Sequence, residues 1–458
     1  MKFSRKRNQF IIFFIDLLIL VLSLYLTLWI RNGSEFSFSL FLNHVPHFII
    51  FWTTYLISMY TFGLYSIDSS FVSLKFSIFL FLSSTFALLV GIGYFYITYK
   101  TNIRPKTILV LSTVFSYFFI IIWRIFYDHI ARKSNKKVKY LIIGYNKTVL
   151  DIIKASFLNN YINFLPVGLY TSKKNEIPAE ILDKITIIEN TNDLDSFIKE
   201  NDIKVFVLPL EASHSPEIIK ILFKAMENKA IFYNTAEFYE LLFRKIPLGA
   251  INESWFLQKI NLQGKVIFNL TKRLFDILMS AFILLLTIIF WPIIAIIIKV
   301  ESKGPVFFTQ TREGKNGKLF KLYKFRTMKT EQNNYAPTTE KDNRITKFGN
   351  FMRVTRIDEL PQMLNVLKGN MSLIGPRPER PELACELEKE IPFYRQRLIV
   401  KPGITGWDQV SGEYHSPSME DTYKKLQFDL YYIKNQSIFL DISIFFKTIM
   451  TVFLKLGR

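Results

Sequence analysis

Two adjacent carboxylates stand in the stretch Arg353-Val-Thr-Arg356-Ile-Asp358-Glu359-Leu-Pro-Gln362. Neighbouring residues on a helix point about 100° apart, so the pair need not share one job: one could attack while the other holds a metal. Arg353 and Arg356 precede Asp358 by five and two residues, where their charge could keep its carboxylate ionised. Taken alone, such a cluster is more often a solvated helix face with salt bridges. Upstream, residues 299–329 hold nine Lys or Arg against two Glu, around the run Lys321-Leu-Tyr-Lys324-Phe-Arg326-Thr-Met and the glycines Gly304, Gly314 and Gly317. Arg supplies a bidentate fork and Lys a point charge, so Lys324 and Arg326 suit phosphate groups. Attraction to an anionic leaflet is the other reading of this run, and the two are compatible. Asp342-Asn-Arg-Ile-Thr346 lies between these blocks. Downstream, Gly375-Pro-Arg377-Pro holds a cation between two prolines, a stiffness a linker does not need. Lys401-Pro-Gly403-Ile-Thr-Gly406-Trp407 is a second rigid turn, carrying a cation and an aromatic.

The elements that must position these groups begin with four apolar runs, at 9–30, 47–65, 71–97 and 107–127. Each is near the ~20 residues that cross a bilayer. The first is too long for a removed signal peptide and lacks a small-residue cleavage site. Lys2, Arg5, Lys6 and Arg7 precede it, and Arg132, Lys133, Lys136, Lys137 and Lys139 follow the fourth run, so both ends are expected in the cytoplasm. Lys100, Arg104 and Lys106 would face outside, against that trend. Asp16, inside the first run, is read as a helix-packing hydrogen bond; His44 and His47 are read as loop residues between two apolar runs and not as a metal site. A fifth apolar run, 274–298, has Lys272 and Arg273 before it and Lys299 and Lys303 after it. Basic flanks on both sides give no reason to cross, and Trp291-Pro292 breaks the helix. A re-entrant segment over about 270–299 is therefore expected, entering and leaving on the cytoplasmic face; a kinked full span would carry the basic C-terminal region away from cytosolic nucleotides.

Between these membrane parts, 138–143, 164–170, 205–209 and 231–233 read as short buried strands alternating with helices, hence a parallel sheet. The first turn is Gly144-Tyr-Asn-Lys-Thr, without the G-x-G-x-x-G that admits a pyrophosphate, and no acidic residue ends the second strand. This predicts a degenerate Rossmann-like domain with a structural or regulatory role. The fold class expected is an α-helical membrane protein with a cytosolic Rossmann-like α/β domain and an α/β catalytic domain bearing the re-entrant helix. The expected boundaries are 1–130, 131–264 and 265–458, ending in an amphipathic helix at 437–455 that lies on the membrane or in the core; 331–341 reads as a mobile loop. Composition agrees: half of the 458 residues are hydrophobic and the net charge is +20. The lone Cys385 excludes a disulfide framework. No nucleic-acid-binding module is recognisable despite the charge.

The blocks KFRTM, DNRIT, RIDELPQ, NVLKGNMSLIGPRP and KPGITG, in this order behind the basic-flanked apolar run, resemble the bacterial sugar transferase family: polyprenyl-phosphate phosphoglycosyl transferases with one re-entrant helix. The four upstream spans and the α/β segment are similar to long-form members, which initiate exopolysaccharide, capsule or O-antigen (lipopolysaccharide) synthesis. The resemblance covers 272 to the C-terminus most specifically. It implies that Asp358 is the nucleophile and Glu359 the carboxylate associated with Mg²⁺, and that phosphate and substrate contacts fall on Lys324, Arg353 and Arg377. Lys272, Arg273 and Asp276 match the start of the membrane hairpin, and Asp429 and Asp441 the late acidic positions; these five join Arg326 in the expected substrate set. Pro292 matches the helix break, although many members have Ser-Pro where this chain has Trp-Pro. The implied reaction moves a sugar-1-phosphate from a UDP-sugar to undecaprenyl phosphate in the bacterial inner membrane, with the catalytic domain facing the cytoplasm, among membrane lipids and in a homodimer. A membrane nucleotide-sugar dehydratase is disfavoured by the missing glycine fingerprint, and a non-catalytic scaffold by the density of rigid Gly/Pro–Arg turns.

Overall fold

Ser37 and Ser73 start two of the four N-terminal helices by accepting the amides of Leu40 and Phe76, each satisfying a donor that the first helical turn leaves free. The computed structural model describes residues 2–65, 71, 73–98, 106–134, 137–158, 164–172, 176–209, 216–260, 265–329, 342, 344–411 and 418–453. The expected mobile loop at 331–341, Lys100 and Arg104 of the outward loop, Lys136 and Lys455 lie outside these residues. The four helices are α1 (Lys2–Asn32), α2 (Phe38–Thr61), α3 (Leu74–Ile97) and α4 (Lys106–Ser134). Helix α1 packs along α4, and α2 along α3. Asp16 of α1 accepts a 2.6 Å hydrogen bond from Arg124 of α4, both side chains fully buried, so the helix-packing hydrogen bond expected of it is present and is also an ion pair. His44 and His47 are not in a loop: α2 begins at Phe38, nine residues before the apolar run that was expected to start it, and His44 Nδ1 donates to the Leu40 carbonyl at 2.8 Å. Among the described residues, five helical segments, the fifth being Val266–Glu301, are long and apolar enough to cross a membrane.

The α/β region runs β1 (Val138–Ile143), α5 (Lys147–Leu158), β2 (Phe164–Tyr170), α6 (Ala179–Leu182), β3 (Thr186–Ile188), α7 (Thr191–Glu200), β4 (Val205–Leu208), α8 (Pro216–Glu227), β5 (Ile231–Asn234) and α9 (Thr235–Phe243). The strand order is β3-β2-β1-β4-β5, the doubly wound order with its switch point between β1 and β4. Gly144, just past β1, is left-handed at φ 90, and a Cβ there would lie 2.9 Å from the Pro209 ring just past β4. The turn that would cradle a dinucleotide is thus pressed against the neighbouring strand's end. Sequence reading missed β3, which is only three residues long.

Past α9 the chain enters the core of the last region: Ile246, Leu248 and Trp255, the last on α10 (Glu253–Lys259), are buried with Val366, Leu373 and Tyr432. Then follow α11 (Val266–Thr287), a 3-10 turn at Ile288–Phe290, α12 (Trp291–Glu301), β6 (Phe307–Glu313), β7 (Leu319–Phe325), α13 (Lys347–Thr355), α14 (Gln362–Lys368), β8 (Ser372–Ile374), α15 (Pro381–Glu390), β9 (Gly403–Thr405), α16 (Met419–Lys434) and α17 (Ile438–Phe453). Pro292 sits in the first turn of α12, where its missing N–H costs nothing. Trp291 packs its ring on Phe307 and Phe325, at 5.9 and 5.3 Å. Both limbs of the broken helix hold to one globular region. Arg273 at the start donates to the carbonyls of Val366 and Leu367, and the carbonyls of Ser302 and Lys303 at the far end accept from Arg326. Helix α17 packs as a core helix, with Asp441 and Ile444 buried.

Candidate active site

Arg356 ends α13 in the left-handed conformation (φ 59, ψ 15), costly for a residue with a Cβ. That bend starts the 3-10 turn Ile357–Glu359 and turns both carboxylates inward, leaving Asp358 7% and Glu359 6% exposed. Lys324, second from the end of β7, donates from Nζ to Glu359 Oε1 at 3.0 Å. Arg377 Nη2 donates to the same oxygen at 3.0 Å, and Arg356 Nη1 lies 3.7 Å from it. Three cations therefore converge on one carboxylate. Burial alone would raise its pKa, but Lys324, Arg377 and Arg356 outweigh burial and hold Glu359 below the usual carboxylate range. Asp358 behaves in the opposite way. Its Oδ1 is buried without a hydrogen-bond donor among the described residues. Burial, reinforced by the Glu359 charge, raises its pKa despite Lys324, Arg356 and Arg353. The two arginines favour its ionised form, as expected, but burial and Glu359 outweigh them: Arg356 Nη1 lies 3.7 Å from Glu359, and Arg353 Nε donates to Thr327 Oγ1 at 2.9 Å. One low and one high carboxylate side by side form the pattern of groups with separate roles.

The turn bearing Arg377 is held from two sides. Gly375 N donates to Thr405 O and Gly403 N to Pro376 O, both at 2.9 Å, so the two Gly/Pro turns lie backbone against backbone. A Cβ on Gly403 would fall 2.1 Å from the Gly375 nitrogen. From the other side Arg397 donates to the Arg377 carbonyl at 2.9 Å and pairs with buried Asp429 at 2.9 Å. Gly403→Ala is accordingly expected to push the Arg377 turn off Glu359, with a loss of several kcal/mol of stability, by overpacking of a backbone contact. Thermal unfolding of the purified variant checks this; an unchanged midpoint would show the contact to be slack.

The other expected substrate residues are placed elsewhere. Lys272 pairs with Asp441 at 2.7 Å and donates to the Ile374 carbonyl at 3.0 Å. Asp276 accepts from Ser372 Oγ and the Leu373 amide, at 3.1 and 3.0 Å. Arg326 caps α12, and Asp429 holds Arg397. Their charges meet protein groups that pin α11, α16 and α17 around β8, while Lys324, Arg353 and Arg377 stand around the carboxylate pair. Asp342 is gripped by Arg344 at 2.6 Å, which holds its pKa down to about 2. Gly314 and Gly317 make the far turn of the β6–β7 hairpin, seven or more residues along from Lys324, and cradle nothing beside it. Arg397 and Tyr394, whose hydroxyl accepts from Arg397 at 2.8 Å, were not singled out from sequence; no local pattern marks them, since their role exists only through α16.

Residues 267–455 match the bacterial sugar transferase family, and 61–233 match a CoA-binding domain family. The chain is 42% identical over 230 residues to the UDP-N-acetylgalactosamine-undecaprenyl-phosphate N-acetylgalactosaminephosphotransferase of Aeromonas hydrophila, covering 49% of this chain and 53% of that protein. It is 32% identical over 342 residues to the UDP-glucose:undecaprenyl-phosphate glucose-1-phosphate transferase of Xanthomonas campestris pv. campestris, covering 71% and 69%. The Escherichia coli K12 protein of the same description is 44% identical over 189 residues, 41% of each chain. The chain therefore spans about half the length of the Aeromonas protein and less of the Escherichia coli one.

Proposed function

Since the chain belongs to the bacterial sugar transferase family, we propose that it transfers a sugar-1-phosphate from a UDP-sugar to undecaprenyl phosphate and releases UMP. The observation that carries this reading is the carboxylate pair: Asp358 with an undonated buried oxygen, beside a Glu359 whose Oε1 accepts from Lys324 and Arg377. An Asp358 oxygen attacks the sugar-linked phosphorus of the UDP-sugar; the bond from that phosphorus to the UMP oxygen breaks, and an aspartyl-phosphosugar forms. A phosphate oxygen of the lipid then attacks the same phosphorus and the Asp358 carboxylate leaves, giving the polyprenyl diphosphate sugar. Lys324, Arg377 and Arg353 offset the charge that develops on the phosphoryl oxygens.

Glu359 is the group that would hold Mg²⁺. Among the described residues no cluster of three or more His, Cys, Asp or Glu could hold a metal, so substrate phosphate oxygens and water would complete the shell, as this ion prefers. Such an ion supplies neutralisation of the diphosphate. The same proposal places the chain in the bacterial cytoplasmic membrane with the catalytic region at the cytoplasmic surface. It is supported by the broken α11–α12 segment, whose exposed Leu285, Ile289 and Ile293 suit lipid, and it includes the homodimer expected from the resemblance. The test is UMP release from UDP-glucose, UDP-N-acetylgalactosamine and other UDP-sugars by the full chain in nanodiscs, with and without undecaprenyl phosphate. Lipid-dependent release with one sugar is the expected result; none with any sugar, from folded protein, would sink the reading.

A further inference from the structure

Residues 307 and 308 are both phenylalanine, and both are substantially exposed, at 43% and 41%. They begin β6, the strand that follows the apolar α12 after a short link, so they stand at the membrane-helix end of the β6–β7 hairpin. Successive side chains on a strand point to opposite faces. The register pairs Phe307 with Phe325 and Phe308 with Lys324. Phe307 goes to the α12 side: its ring stacks on Phe325 at 5.4 Å and touches Trp291 at 5.9 Å, which accounts for that residue by packing. Phe308 goes to the opposite side, the face on which Lys324 reaches Glu359. Directly opposed residues have Cβ atoms about 5 Å apart, so the exposed ring stands beside the cation that serves the carboxylate pair. Among the described residues no aromatic ring packs on Phe308, and burying it would be the normal fate of a phenylalanine inside a hairpin.

We infer that Phe308 is a specificity-determining residue for the lipid acceptor: it seats the first apolar units of the chain behind the acceptor phosphate, while the cations around Glu359 take the phosphate. This rests on the transferase reading. The ligand it describes joins an anion to a long apolar, methyl-branched tail. The face of the hairpin that carries Phe308 also carries Lys324, and the strand that Phe308 helps to begin leaves α12, whose last turn bears the exposed Val300, after the short link 302–306. A nucleobase is the other molecule that an aromatic rim could hold. It would come from solvent and has no use for that continuity.

The test is steady-state transfer by the full chain in nanodiscs, varying undecaprenyl phosphate and the UDP-sugar separately, for the wild type, Phe308→Ser and Phe308→Leu. Completing the burial of a half-exposed phenylalanine is worth enough that Phe308→Ser should raise the KM for undecaprenyl phosphate about tenfold. Phe308→Leu should recover most of that, and kcat and the KM for the UDP-sugar should move little. A rise in the UDP-sugar KM instead would identify base stacking and overturn the inference, as would an unchanged acceptor KM or a fall in kcat alone. A wild type that releases no UMP from any UDP-sugar defeats the transferase reading and this inference together. A wild type that transfers normally beside a Phe308→Ser variant of unaltered acceptor KM defeats this inference alone.

Discussion

Asp358→Asn is expected to abolish turnover, by at least about 10³-fold, while leaving the protein folded and no less stable. The two halves of that result have one cause. An amide keeps the shape of the side chain but cannot form the acyl phosphate, so UMP release should stop at the first step. The stability half follows from the raised pKa. Burial and the Glu359 charge disfavour ionised Asp358 in the folded state. A group whose folded pKa lies above its unfolded value costs stability when both states are ionised, and that cost is relieved as pH falls through the folded pKa. A neutral asparagine removes it, so the variant's unfolding midpoint near neutral pH should equal or exceed the wild type's. Retained transfer would remove Asp358 as nucleophile. A large drop in midpoint would mean that Asp358 has a structural partner, contrary to its undonated Oδ1.

Glu359→Gln is expected to lower kcat by roughly 10²–10³-fold, the range for losing one preorganised charged contact at a reacting centre. It should also shift the pH profile in a defined direction. The nucleophile must be ionised, so kcat/KM of the wild type should fall as pH drops through the raised pKa of Asp358. Glu359 is one cause of that elevation. Removing its charge, while Lys324 and Arg377 lose their anionic partner, must lower the pKa of Asp358. The acid limb should therefore move to lower pH in the variant. A limb that stays in place or moves upward would show that the titration belongs to another group. Stability should respond with the opposite sign to that of Asp358. Glu359 has a depressed folded pKa, so the stability it contributes is present above its unfolded pKa and is lost as pH falls toward the folded value. Glu359→Gln should unfold earlier than the wild type at neutral pH, with three cations left facing a neutral amide.

Much of the fold was legible because its signals are local. Apolar length marks a span, so four helices and the broken fifth could be placed within a few residues, apart from the start of α2. Short β-branched runs mark buried strands, so β1 and β2 were read to the residue. The carboxylate pair, Lys324 and Arg377 were legible as types because phosphate chemistry needs them, and rigid turns announce themselves by Gly and Pro. What remained hidden depends on partners far along the chain. Lys272, Arg273, Asp276, Asp429 and Asp441 carry the same charges as the site residues, and nothing in their neighbourhood distinguishes a substrate contact from an internal one. Only when β8 is inserted among α11, α16 and α17 do their partners become Ile374, Val366, Ser372, Arg397 and Lys272.

The sequence by itself determined the residue types on offer: an apolar, basic chain with Asp358-Glu359 between Lys324 and Arg377 and rigid Gly/Pro turns around them. Tertiary structure alone decided how they differ. It gave three cations to one oxygen of Glu359 and left Asp358 Oδ1 buried without a donor among the described residues, because the left-handed Arg356 turns Glu359 toward β7 and the Arg377 turn. Ionisation state is set by distance and burial, which the order of residues along a chain does not contain.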